Sequence, residues 1–422
     1  MKTLLFFLCS ICILLSGCGN QTRKEFSQQD SSVSVEHNTF DPDKIYFLDF
    51  EQNLKSVKVD TFTINSLAQK ISFTPLETLD NNLLMTEDFK VAAINGRYYI
   101  SSGTGPKFSG IMEFDATGRF MDYLIQKGGR GPKELPATYE WSCNQKAQLL
   151  VASSLYEILV HSFENNTTNK FSLGGFFVRE NLMNNGTIVG IANSVMGDGE
   201  TDTPYLHFRN REGEIVHSLY YPQKRDIAYH LPEGQGPMET YHLYPDYSGD
   251  VLFKDMFNDT IYRIRGFDDV KPYIIIHRGL LALTIKEVTN RDAMVQKVCI
   301  RGVLDTKMYI FIKYLYRDVM NCIIWDKQSM ALIANTKADS SREHWGVIYH
   351  RASNGFTKYR APNGKEILIA ISSYFDGKLY SFLDASQAMD FLPDIKEDDN
   401  PVLMIIDLKN QNVKKENFRS PL

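Results

Sequence analysis

The sequence predicts an all-β fold, a six-bladed β-propeller with seven blades as the alternative count, and three observations carry that expectation. From Asp41 onward, short runs rich in Val, Ile, Tyr and Phe alternate with Asn-Gly, Asp-Gly and other Gly-rich breaks, the texture of strands joined by tight turns. Polar turn clusters recur at Asp115, Asn165, Asn210, Asn258, Asp326 and Asp376, spaced 45 to 50 residues apart except for one interval of 68. A four-stranded propeller blade takes roughly 40–50 residues. Finally, Gly129-Arg130-Gly131-Pro132-Lys133-Glu134 is echoed in spacing by Gly234-Gln235-Gly236-Pro237-Met238-Glu239, which points to a repeat.

The long interval contains Leu283–Val298 (LTIKEVTNRDAMVQKV), the most helix-like stretch of the chain. A short helical insertion there restores the period. The Asn258 and Asp376 clusters fit the register less well and mark a different hairpin within their blades. Length is compatible with one propeller, since 422 residues is ordinary for such a ring. A hydrophobic fraction of 43% and an aromatic fraction of 12% supply a large core. The net charge of −5 and pI near 6.0 provide no field that would attract nucleic acid, and no nucleic-acid partner is expected.

The amino terminus is organised differently. Lys2 precedes an apolar run, Leu4–Leu15, about half the roughly 20 residues that a membrane-spanning helix needs. Leu15-Ser16-Gly17-Cys18 follows, and the arrangement reads as an export signal over residues 1–17. These four residues resemble the lipobox of bacterial lipoproteins, which implies that Cys18 carries lipid and that the membrane is a partner through it. Gly19–Phe40 is polar, rich in Ser and Gln and without a period, so residues 18–40 form a lipidated flexible tether. The propeller occupies residues 41–416. Placement in the cell envelope is expected, with the outer membrane favoured because Gly19 supplies no acidic retention signal. Cys143, Cys299 and Cys322 remain in the body, an odd number with no CxxC spacing, and read as buried free thiols.

Along the body, strands are expected at Ile45–Asp49, Ser56–Ile64, Ile71–Pro75, Val91–Ile100 and Gly110–Phe114. Asn95-Gly96 marks a hairpin, because both residues tolerate the positive φ of a type I′ turn. A ring must also close. The strands Ile45–Asp49 and Ser56–Ile64 on one side and Val402–Asp407 on the other are candidates to complete a blade begun at the opposite terminus.

Taken in order, Ile71-Ser72-Phe73-Thr74-Pro75-Leu76-Glu77-Thr78, Phe114-Asp115-Ala116-Thr117-Gly118-Arg119-Phe120, Gly128–Glu134 and Asn258-Asp259-Thr260-Ile261-Tyr262-Arg263 resemble the six-bladed β-propeller lipoproteins of Bacteroidetes-type bacteria. The resemblance covers roughly Asp41 to Asp407 and implies a propeller related to the NHL class, exported and lipid-anchored, whose function the family leaves mostly undefined. Leu135 departs from it, standing where an aromatic is expected after the Gly-Pro-x-Glu unit.

Two stretches carry candidate chemistry. In Lys127-Gly128-Gly129-Arg130-Gly131-Pro132-Lys133-Glu134, backbone N–H groups freed by Gly129 and Gly131, with Lys127, Arg130 and Lys133, could hold an anion. The competing reading makes the glycines a junction between blades, which the echo at Gly234–Glu239 supports. That echo carries Gln235 where Arg130 stands, so Arg130 is the stronger functional candidate. The second stretch, Tyr241–Tyr247 (YHLYPDY), offers Tyr241, Tyr244 and Tyr247 as rim aromatics able to stack on a sugar ring or a peptide side chain.

No HxH, HExxH, Walker or GxSxG pattern is present, and no metal, cofactor or catalytic residue is assigned. The expectation is a non-catalytic, membrane-tethered propeller that binds an unidentified ligand or an envelope protein at one face of its ring. The alternative is a lyase or hydrolase acting on glycan or peptide in the central funnel, which would require two or more carboxylates or histidines converging there.

Overall fold

A computed structural model describes residues 43–56, 61–80, 82–84, 88–129, 131–173, 177–192, 204–220, 241–284, 287, 290–338 and 353–409. The chain divides at Pro42, and all described residues belong to the second unit, Asp43–Leu422. Two strands, β1 (Tyr46–Asp49) and β2 (Ala68–Pro75), precede the first blade. Blade 1 comprises β3 (Lys90–Ile94), β4 (Arg97–Ser101), β5 (Ile111–Phe114) and β6 (Phe120–Lys127), with the two-residue β7 (Glu134–Leu135) on its outer edge. Blade 2 is β8 (Glu140–Asn144), β9 (Leu149–Ser153), β10 (Glu157–Ser162) and β11 (Thr167–Ser172). Blade 3 is β12 (Phe177–Leu182), β13 (Ile188–Ala192), β14 (Pro204–Arg209) and β15 (Ile215–Tyr220).

Blade 4 is β16 (Tyr241–Pro245), β17 (Val251–Asp255), β18 (Thr260–Gly266) and β19 (Asp269–His277). Blade 5 is β20 (Cys299–Asp305), β21 (Tyr309–Tyr316), β22 (Val319–Asp326) and β23 (Ala331–Ala338). The last sheet orders as β24 (Gly355–Arg360), β25 (Glu366–Phe375), β26 (Lys378–Leu383), β27 (Val402–Leu408) and β2. Here β24 pairs only with the first half of β25, from Arg360↔Glu366 to Gly355↔Ile371. The second half of β25 pairs with β26 and becomes the inner strand of blade 6.

The ring shows itself in the core, because each pair of successive blades encloses its own apolar cluster. Leu159 and Trp141 of blade 2 meet Ile94 and Tyr99 of blade 1, and Val189 of blade 3 meets Leu243 of blade 4. The series ends where Phe382 and Leu403 of blade 6 meet Val91 and Phe114 of blade 1. The predicted six-bladed propeller is therefore the fold, and the alternative of seven blades is excluded.

The turn clusters at Asp115, Asn165, Asn210 and Asp326 join the third and fourth strands of blades 1, 2, 3 and 5. Those at Asn258 and Asp376 join the second to the third strand of blade 4 and the first to the second of blade 6, the different hairpins their register implied. An aspartate at the head of such a turn holds it by collecting backbone donors: the N–H groups of Thr117 and Arg119 both donate to Asp115 Oδ1, at 2.8 and 3.1 Å.

Closure differs from expectation in its partner. β27 pairs antiparallel with β2, from Pro75↔Val402 to Ala68↔Leu408, so the early strand predicted at Ile71–Pro75 closes the ring. The strand predicted at Ile45–Asp49 exists as β1 but adds in parallel to the outer edge of blade 4, Tyr46 opposite Ile274 and Leu48 opposite Ile276. The strand predicted at Ser56–Ile64 is not found among the described residues: Ser56 ends a helix, α1 (Phe50–Ser56), and Ile64 opens a 3₁₀ turn. Asp49 starts that helix by accepting the Gln52 N–H at 3.0 Å, at the residue where the strand ends.

The predicted insertion near 283–298 shrinks to α2 (Arg291–Val295), capped by Asn290, which accepts the Ala293 N–H at 3.1 Å. With α3 (Ala385–Ala388), these are the three helices among the described residues. None is long and apolar enough to cross a membrane. Cys143, Cys299 and Cys322 are free thiols, Cys143 half-buried and the others buried.

Candidate functional site

The inner strands of all six blades line a central cavity of about 360 Å³, with Val91, Ser142, Asn181, Pro245, Leu304 and Ser373 each representing one blade. One end is roofed by the turns that follow the inner strands. Asn144 Nδ2 donates to the Gly249 carbonyl at 3.0 Å and Asn184 Nδ2 to the Ser248 carbonyl at 2.7 Å, linking the turns of blades 2, 3 and 4. Asp246 forms the blade 4 turn, its Oδ1 accepting the N–H groups of Ser248 and Asp250 at 2.7 and 2.8 Å. Gly249 sits at φ +87, and a Cβ there would meet Asn184 Oδ1 at 2.4 Å, so only glycine admits this contact.

Behind that turn the wall is charged. Arg263 Nε lies 2.8 Å from Asp246 Oδ2, and Lys327 Nζ lies 2.6 Å from Asp305 Oδ1. Tyr273 donates its hydroxyl to Asp305 Oδ2 at 3.1 Å and accepts from Lys327 Nζ at 2.9 Å. The Arg263 guanidinium packs 3.5 Å from the centre of the Tyr273 ring, and Lys327 Nζ lies 4.5 Å from that of Tyr247. Burial pushes the Asp305 carboxyl up and the Lys327 ammonium down, and each opposes the other's shift by stabilising its charge. Both remain paired, since an isolated ion at this depth would be far more costly. On the far side of the cavity, Lys90 pairs with Glu140 and lies 5.5 Å from the centre of the Trp141 ring.

Of the charges lining the cavity, Lys90 and Asp246 thus have built-in partners, while Lys146 and Asp376 are exposed and form no ion pair among the described residues. The other groups facing the space are neutral: the amides of Gln145, Asn181 and Asn354, the Ser373 hydroxyl region, and the half-buried rings of Tyr247, Tyr374 and Phe375. The Cys143 thiol also lines it, but burial raises its pKa to about 12, so it is protonated and no nucleophile. No histidine lines the cavity among the described residues, and these residues contain no group of three or more His, Cys, Asp or Glu disposed to hold a metal ion.

The glycine-rich stretch lies elsewhere, between the outer strand of blade 1 and the inner strand of blade 2. Its own Glu134 turns back into the loop and accepts the Gly131 N–H at 3.0 Å, so a carboxylate already occupies the place proposed for an anion. A Cβ on Gly128 would meet that carboxylate at 2.4 Å. Lys127 donates to the Pro106 carbonyl at 2.7 Å, and Gly129 has open space beside it. Lys133 faces a second cleft, between blades 1 and 2. Leu135, which replaces the expected aromatic, is fully buried in the blade 1–blade 2 core. Arg130, Gly234–Glu239 and Cys18 lie outside the described residues.

Of the rim aromatics, Tyr247 lines the central cavity. Tyr241 begins β16. Tyr244 is corrected: only 1% exposed, it packs with Leu252, Ile261 and Ile300 in the core between blades 4 and 5. Strand alternation is the reason, since a residue one step from the cavity-facing Pro245 points the other way. Tyr374 and Phe375 were missed by sequence reasoning. Their signal was the Asp376-Gly377 turn directly after them, which here follows the inner strand of blade 6.

Comparison with known proteins agrees with the fold. A protein from Bacteroides fragilis named as a candidate exported protein is 14% identical, covers 87% of this chain and 100% of its own, and superposes with a TM-score of 0.61. A DUF4221-family member from Bacteroides vulgatus is 13% identical over 81% of this chain and 97% of its own, with a TM-score of 0.46. Virginiamycin B lyase from Staphylococcus aureus is 12% identical over 81% and 99%, with a TM-score of 0.40. No curated protein sequence matches the chain. The profile of the family DUF4934, a domain of unknown function, matches residues 45–407, and the chain belongs to that family.

Proposed function

We propose that the chain is an exported lipoprotein of the cell envelope whose propeller binds a small, neutral, hydroxyl-rich ligand, of the mono- or disaccharide class, in its central channel without transforming it. The observation that carries this reading is the cavity's division of labour: Asp246 and Lys90 are paired within the protein, the exposed Lys146 and Asp376 contribute one charge of each sign and so no net charge, and amides with the rings of Tyr247, Tyr374 and Phe375 are left to face a ligand. Aromatic faces with a few amide and hydroxyl groups suit a sugar ring, and about 360 Å³ falls within the range of small-molecule sites. The catalytic alternative lacks support, because Asp246 is held by Arg263 and by its own turn, leaving Asp376 without a converging acid or base among the described lining residues. Export and anchoring draw support from the apolar run Leu4–Leu15 with its Leu15–Cys18 sequence, and from the likeness to a protein named as a candidate exported one.

One experiment with two arms tests the proposal on the full chain. In the first, the chain and a Cys18→Ala variant are produced in a lipoprotein-processing bacterium and fractionated. The parent should enter the membrane fraction and the variant should not; equal partition of the two overturns the anchor. In the second, a panel of neutral and acidic saccharides is screened by calorimetry. A neutral saccharide should bind, and Tyr247→Ala should weaken it by about ten-fold or more. Binding by acidic saccharides alone, or an unaffected Tyr247→Ala variant, overturns the ligand class.

A further inference from the structure

Between blades 1 and 2, away from the channel, a second cavity of about 410 Å³ opens. Blade 1 contributes Arg97 on β4, Glu113 on β5 and Asp122 on β6; blade 2 contributes His161 and Phe163; the junction loop contributes Lys133. The acidic side of this cleft is arranged against its own stability. Glu113 and Asp122 stand directly opposite each other in the β5–β6 register, a placement in which like charges repel. Arg97 pairs with Glu113. Asp122 Oδ1 accepts the Tyr123 N–H at 2.7 Å, and its carboxylate makes no ion pair among the described residues.

Across the cleft Lys133 is likewise exposed and forms no ion pair among the described residues. His161 beside it stays uncharged: burial first, and the Lys133 charge second, lower its pKa to about 4. The imidazole Nδ1 is in hydrogen-bond contact with Thr168 Oγ1 at 2.9 Å. An aromatic wall completes the site, with Phe163 4.9 Å from Tyr99 and 4.8 Å from His161 between ring centres.

We propose that this cleft binds a small zwitterion, an amino acid or dipeptide with an apolar side chain, placing its ammonium group at Asp122 beside Glu113, its carboxylate at Lys133, and its side chain against the aromatic wall. Arg97 and Glu113 neutralise each other, which leaves Asp122 and Lys133 as one unpaired charge of each sign among the described residues. A simple anion would face both carboxylates, and a simple cation would face both Lys133 and Arg97; a molecule carrying both charges satisfies both ends. The volume suits a ligand of this size. The inference stands apart from the channel, which has a different lining and takes an uncharged ligand.

Calorimetry on the full chain, with L-phenylalanine, Gly-Phe, N-acetyl-phenylalanine and phenylalanine amide as probes, tests it. At least one of the two free zwitterions should bind, and which one binds separates amino acid from dipeptide. Acetylation and amidation should each weaken binding by about ten-fold or more. Lys133→Ala should erase the preference for the free acid over the amide, and Asp122→Asn the preference for the free amine over its acetylated form. Tyr247→Ala should leave zwitterion binding unchanged. The proposal is overturned if neither zwitterion binds at millimolar concentration, if the blocked forms bind equally well, or if both cleft variants match the parent. Loss of binding in Tyr247→Ala would place the probe in the channel and overturn it equally.

Discussion

Behind the channel wall Asp305 is fully buried, with Lys327 at 2.6 Å and the Tyr273 hydroxyl at 3.1 Å, while in the blade 1–blade 2 cleft the exposed Asp122 accepts a single backbone N–H among the described residues and faces another carboxylate. The same residue type answers to different constraints. Inside, a charge must be matched by the fold itself, since removal from water costs several kcal/mol per ion. Outside, water tolerates an unmatched charge, and a ligand can complete it. The difference separates charges that build the propeller from charges available for recognition.

The largest expected effect breaks the interior set. Asp305→Ala leaves Lys327 buried without its carboxylate and should cost about 3–5 kcal/mol in urea denaturation. The double variant Asp305→Leu/Lys327→Met should recover most of that loss, because the penalty belongs to the orphaned charge. A cost below about 1 kcal/mol for the single variant would place Asp305 with the exposed charges instead.

Glu180 on β12 lies between the two cases: it is buried, but its nearest cation, Arg209 Nε, is 3.8 Å away. Burial raises its carboxyl from 4.5 to about 7, with Arg209 pulling the other way. Because the folded pKa is above the unfolded one, its contribution to stability is whole below about pH 4.5 and is lost as pH rises through 7. Stability should fall by about 3 kcal/mol across that window, and Glu180→Gln should flatten the fall. An unchanged pH profile in the variant would show that the carboxyl is better partnered than its geometry indicates.

The smallest effect comes from the cleft. Asp122→Asn should raise stability slightly, by about 0.5 kcal/mol, through relief of its repulsion with Glu113. The gain should shrink at high salt, as expected for exposed charges. Measured destabilisation would mean that Asp122 supports the sheet, and the contrast with Asp305 would lose its meaning.

How far the sequence reaches is clearest at the turns. Asp115, Asn165, Asn210 and Asp326 mark the last hairpin of their blades because the turn chemistry is local. Blade 6 has no such cluster for a topological reason: its third and fourth strands, β27 and β2, come from opposite ends of the chain, and no turn joins them. Beside a turn the reach was uneven: Tyr247 stood in a marked aromatic stretch, whereas Tyr374 and Phe375 adjoin the Asp376-Gly377 turn and were passed over. Tyr244 shares the aromatic stretch with Tyr247, yet alternation sends it into the core. The set Asp246, Arg263, Asp305 and Lys327 joins two blades, and no local spacing announces that four residues so far apart in sequence will meet. The glycine loop misled in a related way, since its anion partner, Glu134, was written into the same motif.

The pairing of β2 with β27 also sets the order of events in making the protein. A chain synthesised from its amino terminus carries β2 as a strand without a neighbour until Val402–Leu408 is made. Five blades can fold beforehand, but the channel has no complete circumference until the sixth inner strand, β25, is locked in place by that clasp. The ligand recognition proposed for the channel would therefore be a property of the finished chain alone, and a truncation that removes either strand of the clasp would abolish it without touching a residue that lines the cavity.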